Sequence, residues 1–160
     1  MDWVEVKKTD KAAIALADRH YSRQKPGSRE LGPPGQKILL LTDSNDAVWG
    51  SHRPAPWAGV KRMDGFEGHC CFLFRNEGPL LSSTLIREAV AFTAALWGVA
   101  AFITYVAVNK VKSPNPGYCF LKAGFHRVGY RDKTKHGLMA RLEMDASEVG
   151  GCLEELCREK

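Results

Sequence analysis

The sequence predicts a mixed α/β domain, a sheet of about six to seven strands with flanking helices. Strand-length apolar runs alternate with stretches of helical periodicity, and Gly, Pro, Asn and Asp clusters punctuate them. The composition, 44% hydrophobic and 26% charged over 160 residues, fits one folded domain spanning residues 1–160. Disorder needs fewer apolar residues, and a collagen-like chain needs a glycine period that 15 scattered glycines do not supply.

Each element follows from local pattern. Residues 2–8 alternate as a short strand, and Thr9 or Asp10 offers a cap to a helix over 10–20 with Ala13, Ile14, Leu16 and Ala17 on its apolar side. Residues 21–36 carry two Gly-Pro clusters and read as a long loop, a length usually functional or disordered. Lys37–Thr42 and Ala47–Ser51 form a hairpin around Asp43-Ser44-Asn45-Asp46. A second loop, 52–68, leads to the strand His69–Arg75. A helix over 82–97 places Leu85, Ile86, Ala89, Val90, Thr93, Leu96 and Trp97 on one face and stops at Gly98. Then come a strand at Phe102–Val108, a short helix over 116–123 stopped by Gly124, and a hairpin of Phe125–Tyr130 with Leu138–Met144 around residues 132–135. A last helix spans 146–158, with Ser147 as its expected cap. This order implies a mixed sheet with crossovers near the middle.

Several classes are excluded. The longest apolar stretch, Ala89–Val108, is broken by Gly98 and carries Thr93 and Thr104, so it reads as helix plus strand rather than a membrane span. The N-terminus has no basic start followed by an apolar core, so no secretory signal is expected. Five cysteines without paired spacing fit neither a disulfide framework nor a zinc cluster, and suit a reducing cytoplasm. The five histidines are dispersed, and no metal site is expected.

Lys plus Arg is 23 against 18 acids, a formal +5, with a pI near 9.0. Arg19, Arg23, Lys25, Arg29 and Lys37 crowd one segment, Lys61 and Arg62 form a second cluster, and Arg127, Arg131, Lys133 and Lys135 a third. Positive charge gathered on loops suits a polyanionic partner; ordinary solvation of a basic surface is the plainer reading.

Two constellations carry chemistry. The first is the passage from strand 69–75 into helix 82–97 through Arg75-Asn76-Glu77-Gly78-Pro79-Leu80. Backbone N–H groups and the positive end of a helix dipole suit a pyrophosphate there, Gly78 permits close approach, and Ser82 and Ser83 cap the helix or face a ligand. The second is His20-Tyr21-Ser22-Arg23, which places a base or acid, a phenol and a hydroxyl within one turn. A helix end with a dipole-stabilised histidine and a packed tyrosine is its structural alternative.

Downstream of the first constellation, strand 102–108 leads to Asn109 and then Asn115-Pro116-Gly117-Tyr118-Cys119-Phe120-Leu121-Lys122-Ala123-Gly124-Phe125. Over roughly residues 69–130 this resembles the GNAT superfamily of acyl-CoA-dependent N-acyltransferases. The resemblance implies a GNAT-like sheet whose central strands admit the pantetheine arm of acetyl-CoA or another acyl-CoA. It implies cofactor contacts at Arg75, Asn76, Gly78, Leu80, Ser82, Ser83, Asn109, Tyr118 and Phe120. Two positions depart from the pattern. Leu80 stands where the superfamily usually has Gly or Ala, and Phe120 where many relatives carry a proton-donating tyrosine, with Tyr118 the nearest phenol.

The His-Tyr-Ser-Arg run, the Gly/Pro-rich loop, Arg75 and the pair Ser82/Ser83 together resemble the Mom family of phage DNA-modification proteins. That resemblance implies carbamoylmethylation of the exocyclic amine of adenine in DNA, an anti-restriction activity, in the host cytoplasm if the chain is phage-encoded. His20, Tyr21, Ser22, Ser82 and Ser83 are then the expected catalytic set, and Arg23, Lys25, Arg29, Lys61 and Arg62 the expected DNA contacts. The base must be flipped out or single-stranded, with Trp49, Trp57 or Tyr21 available to stack on it. Two other readings stay open: an N-acetyltransferase of a small-molecule or protein amine, and a non-catalytic nucleic-acid-binding module on the same fold.

Overall fold

The computed structural model describes residues 1–23, 25–53, 64–111 and 114–160. Among them the chain forms seven strands and four helices, the mixed α/β class that the element order predicts. They fall into two compact units, Met1–Leu80 and Leu81–Lys160.

The N-terminal unit holds β1 (Trp3–Val6), α1 (Lys11–Asp18), β2 (Gln36–Thr42), β3 (Ala47–Arg53) and β4 (His69–Asn76). Its strands run in the order β1-β2-β3-β4, each antiparallel to the next. β3 lies between two neighbours, so Ala47 to His52 are all buried. Thr42 organises the β2–β3 turn: its hydroxyl accepts from the N–H groups of Asp46 and Ala47 and donates to the Asp46 carboxylate at 2.8 Å. Phe72 lies across Gly50, where a Cβ would come within 2.4 Å of the ring. No larger residue fits there without displacing the phenyl group.

α1 packs Ala13, Leu16 and Ala17 against Leu39, Leu41, Val48 and Leu73, with Leu31 of the long loop closing the cluster. Each leucine or valine so buried contributes about 1.5–3 kcal/mol. The Asp10 carboxylate caps α1 by accepting the Ala13 N–H at 2.9 Å. The helix ends at Asp18 rather than at residue 20, because Arg19 and His20 turn their N–H groups to Leu16 and Ala17. That tighter i−3 pattern closes the last turn.

The C-terminal unit holds α2 (Ser82–Trp97), β5 (Phe102–Ala107), α3 (Tyr118–Ala123), β6 (His126–Thr134), β7 (Gly137–Met144) and α4 (Ala146–Arg158). Its strand order is β5-β7-β6, antiparallel throughout. α2 buries Leu85, Ile86, Ala89, Val90 and Thr93 as its periodicity predicts, and the Thr93 hydroxyl is satisfied by the Ala89 carbonyl at 2.9 Å. Leu96, expected on that face, is exposed. Arg87 ties three helices together. It grips both oxygens of Glu155 on α4 and donates to the last carbonyl of α3, that of Ala123, at 2.8 Å.

Two boundaries differ from the sequence reading. α4 starts one residue after Asp145, whose carboxylate accepts the Glu148 N–H and is the cap; Ser147 lies inside the first turn. β6 continues to Thr134, so the hairpin turns at Lys135-His136. There Thr134 accepts the His136 N–H and donates to the Gly137 carbonyl, with Gly137 at φ 77°. No helix among the described residues is long and apolar enough to cross a membrane.

Candidate functional site

The His20-Tyr21-Ser22 corner begins where α1 stops. The Ser22 backbone N–H donates to His20 Nδ1 at 3.1 Å, and the Ser22 hydroxyl lies 2.7 Å from the same nitrogen. A backbone N–H can only donate, so Nδ1 carries the lone pair and the neutral ring holds its proton on Nε2. The Ser22 hydroxyl is thus paired with a basic nitrogen. Tyr21 stacks on His20 with ring centroids 4.4 Å apart and planes 30° from parallel. All three side chains are half-buried.

A bridge of charge holds this corner to the end of β4. Glu77 accepts from Arg19 at 2.8 and 2.7 Å through its two oxygens and from Arg75 at 2.7 Å, while Arg75 also donates to the Arg19 carbonyl at 2.9 Å. The Arg19 and Arg75 hydrogen bonds pull the Glu77 carboxyl down to about 2. One carboxylate between two guanidinium groups fixes the chain leaving α1 against the strand end. Sequence reading treated Glu77 only as a turn residue. Arg19, 58 positions away, gives no local signal of the pairing.

The turn after Arg75 departs from an open phosphate cradle. The Glu77 N–H is taken by the Asp46 carbonyl at 2.8 Å, and the Gly78 N–H by the Asn76 side-chain oxygen at 2.9 Å. Asn76 also donates to the Leu80 carbonyl at 2.7 Å. A Cβ on Gly78 would lie 2.3 Å from the Asp46 carboxylate. Hydrogen bonds from Ser44 and Thr42 hold that carboxyl below its usual range, so it is ionised at neutral pH. Gly78 therefore makes room for Asp46, and an anion would meet like charge there. Leu80 is exposed.

In the C-terminal unit, Ser82 and Ser83 form the first turn of α2 instead of capping it. The N-cap is Leu81, whose side chain has nothing to donate or accept, and no acid stands in the first turn. Asp10 and Asp145 cap α1 and α4, whereas the N-cap of this 16-residue helix makes no side-chain hydrogen bond. The residues present fit an anionic phosphate better at 82–84 than at 76–78. Asn109 is exposed just beyond β5, and Tyr118 opens α3 with its ring about half exposed and the Lys122 ammonium 5.5 Å from its centre. Phe120 is a core residue, packed edge-on against Phe125 at 5.3 Å.

The expected DNA contacts divide. The Arg23 side chain is only 10% exposed. It donates to Asp18 at 2.8 Å and to the carbonyls of Ser28 and Glu30, so it braces the loop from within. Lys25 and Arg29 are exposed. Lys61, Arg62 and Trp57 lie outside the described residues. Trp49 is fully buried and donates to Ser51 at 2.7 Å, which excludes it as a stacking surface. A pocket of about 530 Å³, lined by residues 5–9 with Lys37 and Leu39, contains none of the expected site residues. Among the described residues no group of three His, Cys, Asp or Glu side chains is placed to hold a metal ion.

The fold defined by these elements is that of the GNAT acyltransferases. A mutant of the spermidine N-acetyltransferase SpeG from Vibrio cholerae is similar with a TM-score of 0.65 at 10% identity, covering 93% of this chain and 97% of that one. The same organism's spermidine N-acetyltransferase in complex with coenzyme A and spermine gives 0.61 at 9% identity, covering 92% and 98%. The aminoglycoside acetyltransferase AAC(6')-Ib in complex with coenzyme A gives 0.59 at 14% identity, covering 94% and 97%. The chain matches no family model and no curated protein sequence.

Proposed function

We propose that the protein is an acyl-CoA-dependent N-acyltransferase. The observation that carries this reading is the fold, shared over more than nine-tenths of the chain with acetyltransferases solved with coenzyme A bound. The start of α2 supports it, because its N-cap makes no side-chain bond and its first turn holds no acid, so the positive end of the helix suits the phosphates of an acyl-CoA. Bound acyl-CoA supplies an acyl group activated as a thioester. Asn109 and Tyr118 are the further candidates for holding it, and Tyr118 is the candidate proton donor to the departing sulfur.

Within the N-terminal unit, His20 and Ser22 are the candidate base. An amine that attacks the acyl carbon must lose a proton as the new C–N bond forms and the C–S bond breaks. The Ser22 hydroxyl can accept that proton while passing its own to His20 Nδ1. Tyr21, stacked on the imidazole, fixes the ring plane, and the Arg19–Glu77–Arg75 bridge fixes the backbone that carries it.

Two acceptor classes fit this chemistry. The neighbours acetylate spermidine and aminoglycosides, by their names, which favours a small amine. The stacked, half-buried His20–Tyr21 pair beside exposed Lys25 and Arg29 favours a planar base carrying an exocyclic amine, adenine in DNA. An adenine amine is a weaker nucleophile because its lone pair is delocalised into the ring, so it depends more on the Ser22–His20 relay.

The experiment has two arms. Release of free coenzyme A from acetyl-CoA is followed with spermidine, an aminoglycoside and single-stranded DNA as acceptors. DNA from bacteria expressing the protein is digested to nucleosides for mass spectrometry. Turnover with an amine, reduced about a hundredfold in Ser22→Ala and in His20→Ala, supports the transferase. A modified deoxyadenosine that disappears in those variants supports the DNA acceptor. No turnover in either arm, with no binding of acetyl-CoA by calorimetry, overturns the proposal.

A further inference from the structure

The positive charge of this protein is local. Between Asn109 and Gly137 the sequence has seven lysines and arginines against one acid, Asp132. The rest of the chain is left with sixteen cations and seventeen acids, so the whole excess of +5 resides in this segment.

The C-terminal unit displays that segment on its surface. Lys110, Lys122, Arg127, Arg131 and Lys135 are all exposed, and no carboxylate pairs with any of them among the described residues. Where they are held, the partners are neutral. Arg127 donates to the Asn115 side-chain oxygen and the Pro116 carbonyl, Arg131 lies over the Tyr105 ring at 5.9 Å, and Lys122 over Tyr118. Such partners orient a cation without neutralising it. The potential is felt by His136 at the hairpin turn. Burial, then Lys135 and Lys110, lower its proton affinity.

Among the described residues of this unit β6 pairs only with β7, and it exposes residues of both faces: His126, Arg127, Val128, Tyr130 and Arg131 are all open to solvent. Tyr130 and Tyr118 are 58% and 51% exposed. A strand edge that presents uncompensated guanidinium groups interleaved with open aromatic rings combines phosphate pairing with base stacking.

We infer that β6, the β6–β7 turn and α3 form a nucleic-acid-binding surface, in which Arg127, Arg131 and Lys135 meet the phosphate backbone and Tyr130 stacks on a base. The inference deepens the DNA reading of the acceptor and relies on it for the partner's role in turnover; its test reads binding alone, so the two can fail separately.

The test uses the full chain and a fluorescein-labelled oligonucleotide, single-stranded and duplex, followed by anisotropy at several salt concentrations. The wild type should bind with affinity falling steeply as salt rises. Arg131→Glu with Lys135→Glu should weaken binding about tenfold or more at low salt and flatten the salt dependence by about two phosphate contacts. Tyr130→Ala should weaken single-strand binding more than duplex binding. A charge-matched control, Lys11→Glu with Lys160→Glu, should change affinity by less than about threefold. Equal weakening by the control double mutant overturns the inference, because net charge rather than this surface is then responsible. Unchanged binding by the hairpin double mutant, or no oligonucleotide binding by the wild type, also overturns it. Loss of binding without any modified nucleoside in vivo keeps the surface and removes only the DNA acceptor.

Discussion

Two segments of this chain are rich in arginine and lysine, and they treat their charge in opposite ways. Between Arg19 and Lys37 three of the five cations are held by partners of this unit, while Lys25 and Arg29 stay exposed. Arg19 is paired to Glu77 and Arg23 to Asp18, while Lys37 donates to the Leu31 carbonyl. Between Lys110 and Lys135 the described cations face solvent or neutral partners. The first pattern builds a corner and the second leaves a field. A cluster of basic residues in a sequence is therefore two different objects, depending on whether acids far along the chain fold back onto it.

Substitutions can break or sharpen this contrast. The largest stability effect belongs to Arg23→Ala, which removes a nearly buried guanidinium, leaves the Asp18 carboxylate with only the Gly27 N–H, and takes the Arg23 donor from two loop carbonyls. A loss of about 2 kcal/mol is expected in urea denaturation. A value near zero would make this loop as open as the hairpin.

Glu77 comes next. Its carboxyl lies at about 2 in the folded chain against an ordinary 4.5, so the folded state binds its proton more weakly than the unfolded state does. The contribution is complete above about pH 4.5 and is lost as pH falls toward 2. Urea midpoints measured across that window should decline in the wild type and decline less in Glu77→Gln.

A smaller effect is expected at His136. Lys135 and Lys110 help to hold its proton affinity down, and a bound phosphate backbone relieves that part of the shift. Oligonucleotide affinity should therefore rise as pH falls below the ordinary histidine value, and His136→Gln should flatten that slope. The smallest expected effect on stability is that of Arg131→Gln, within about 0.5 kcal/mol by denaturation, since no carboxylate is orphaned by it.

Much of the fold is legible in the sequence because its signals are local. The buried face of α2, the Asp10 cap, the turn at 43–46 and the stop at Gly124 all follow from periodicity or from residues within one turn of one another. The misread features depend on distant or competing partners. Asp145 and Ser147 are both good caps, and the helix start decides between them. Gly78 looked like an opening for a ligand, whereas Asp46, 32 positions earlier in the sequence, occupies the space. The His20–Ser22 pairing lies within three residues and could be anticipated from composition; the Glu77 bridge that anchors it could not.

The Asp46–Gly78 contact also orders the routes by which this protein can change. With a carboxylate oxygen 2.3 Å from a would-be methyl group, a side chain at 78 is admissible only if the Asp46 carboxylate moves away from it. Shortening position 46 first releases that veto, though it forfeits the Thr42 hydroxyl's acceptor in the same stroke. Acceptable variation at these two sites is therefore contingent on sequence history: Asp46→Ala opens Gly78→Ala, and the reverse order passes through a chain whose Asp46 carboxylate is pushed off the Thr42 hydroxyl.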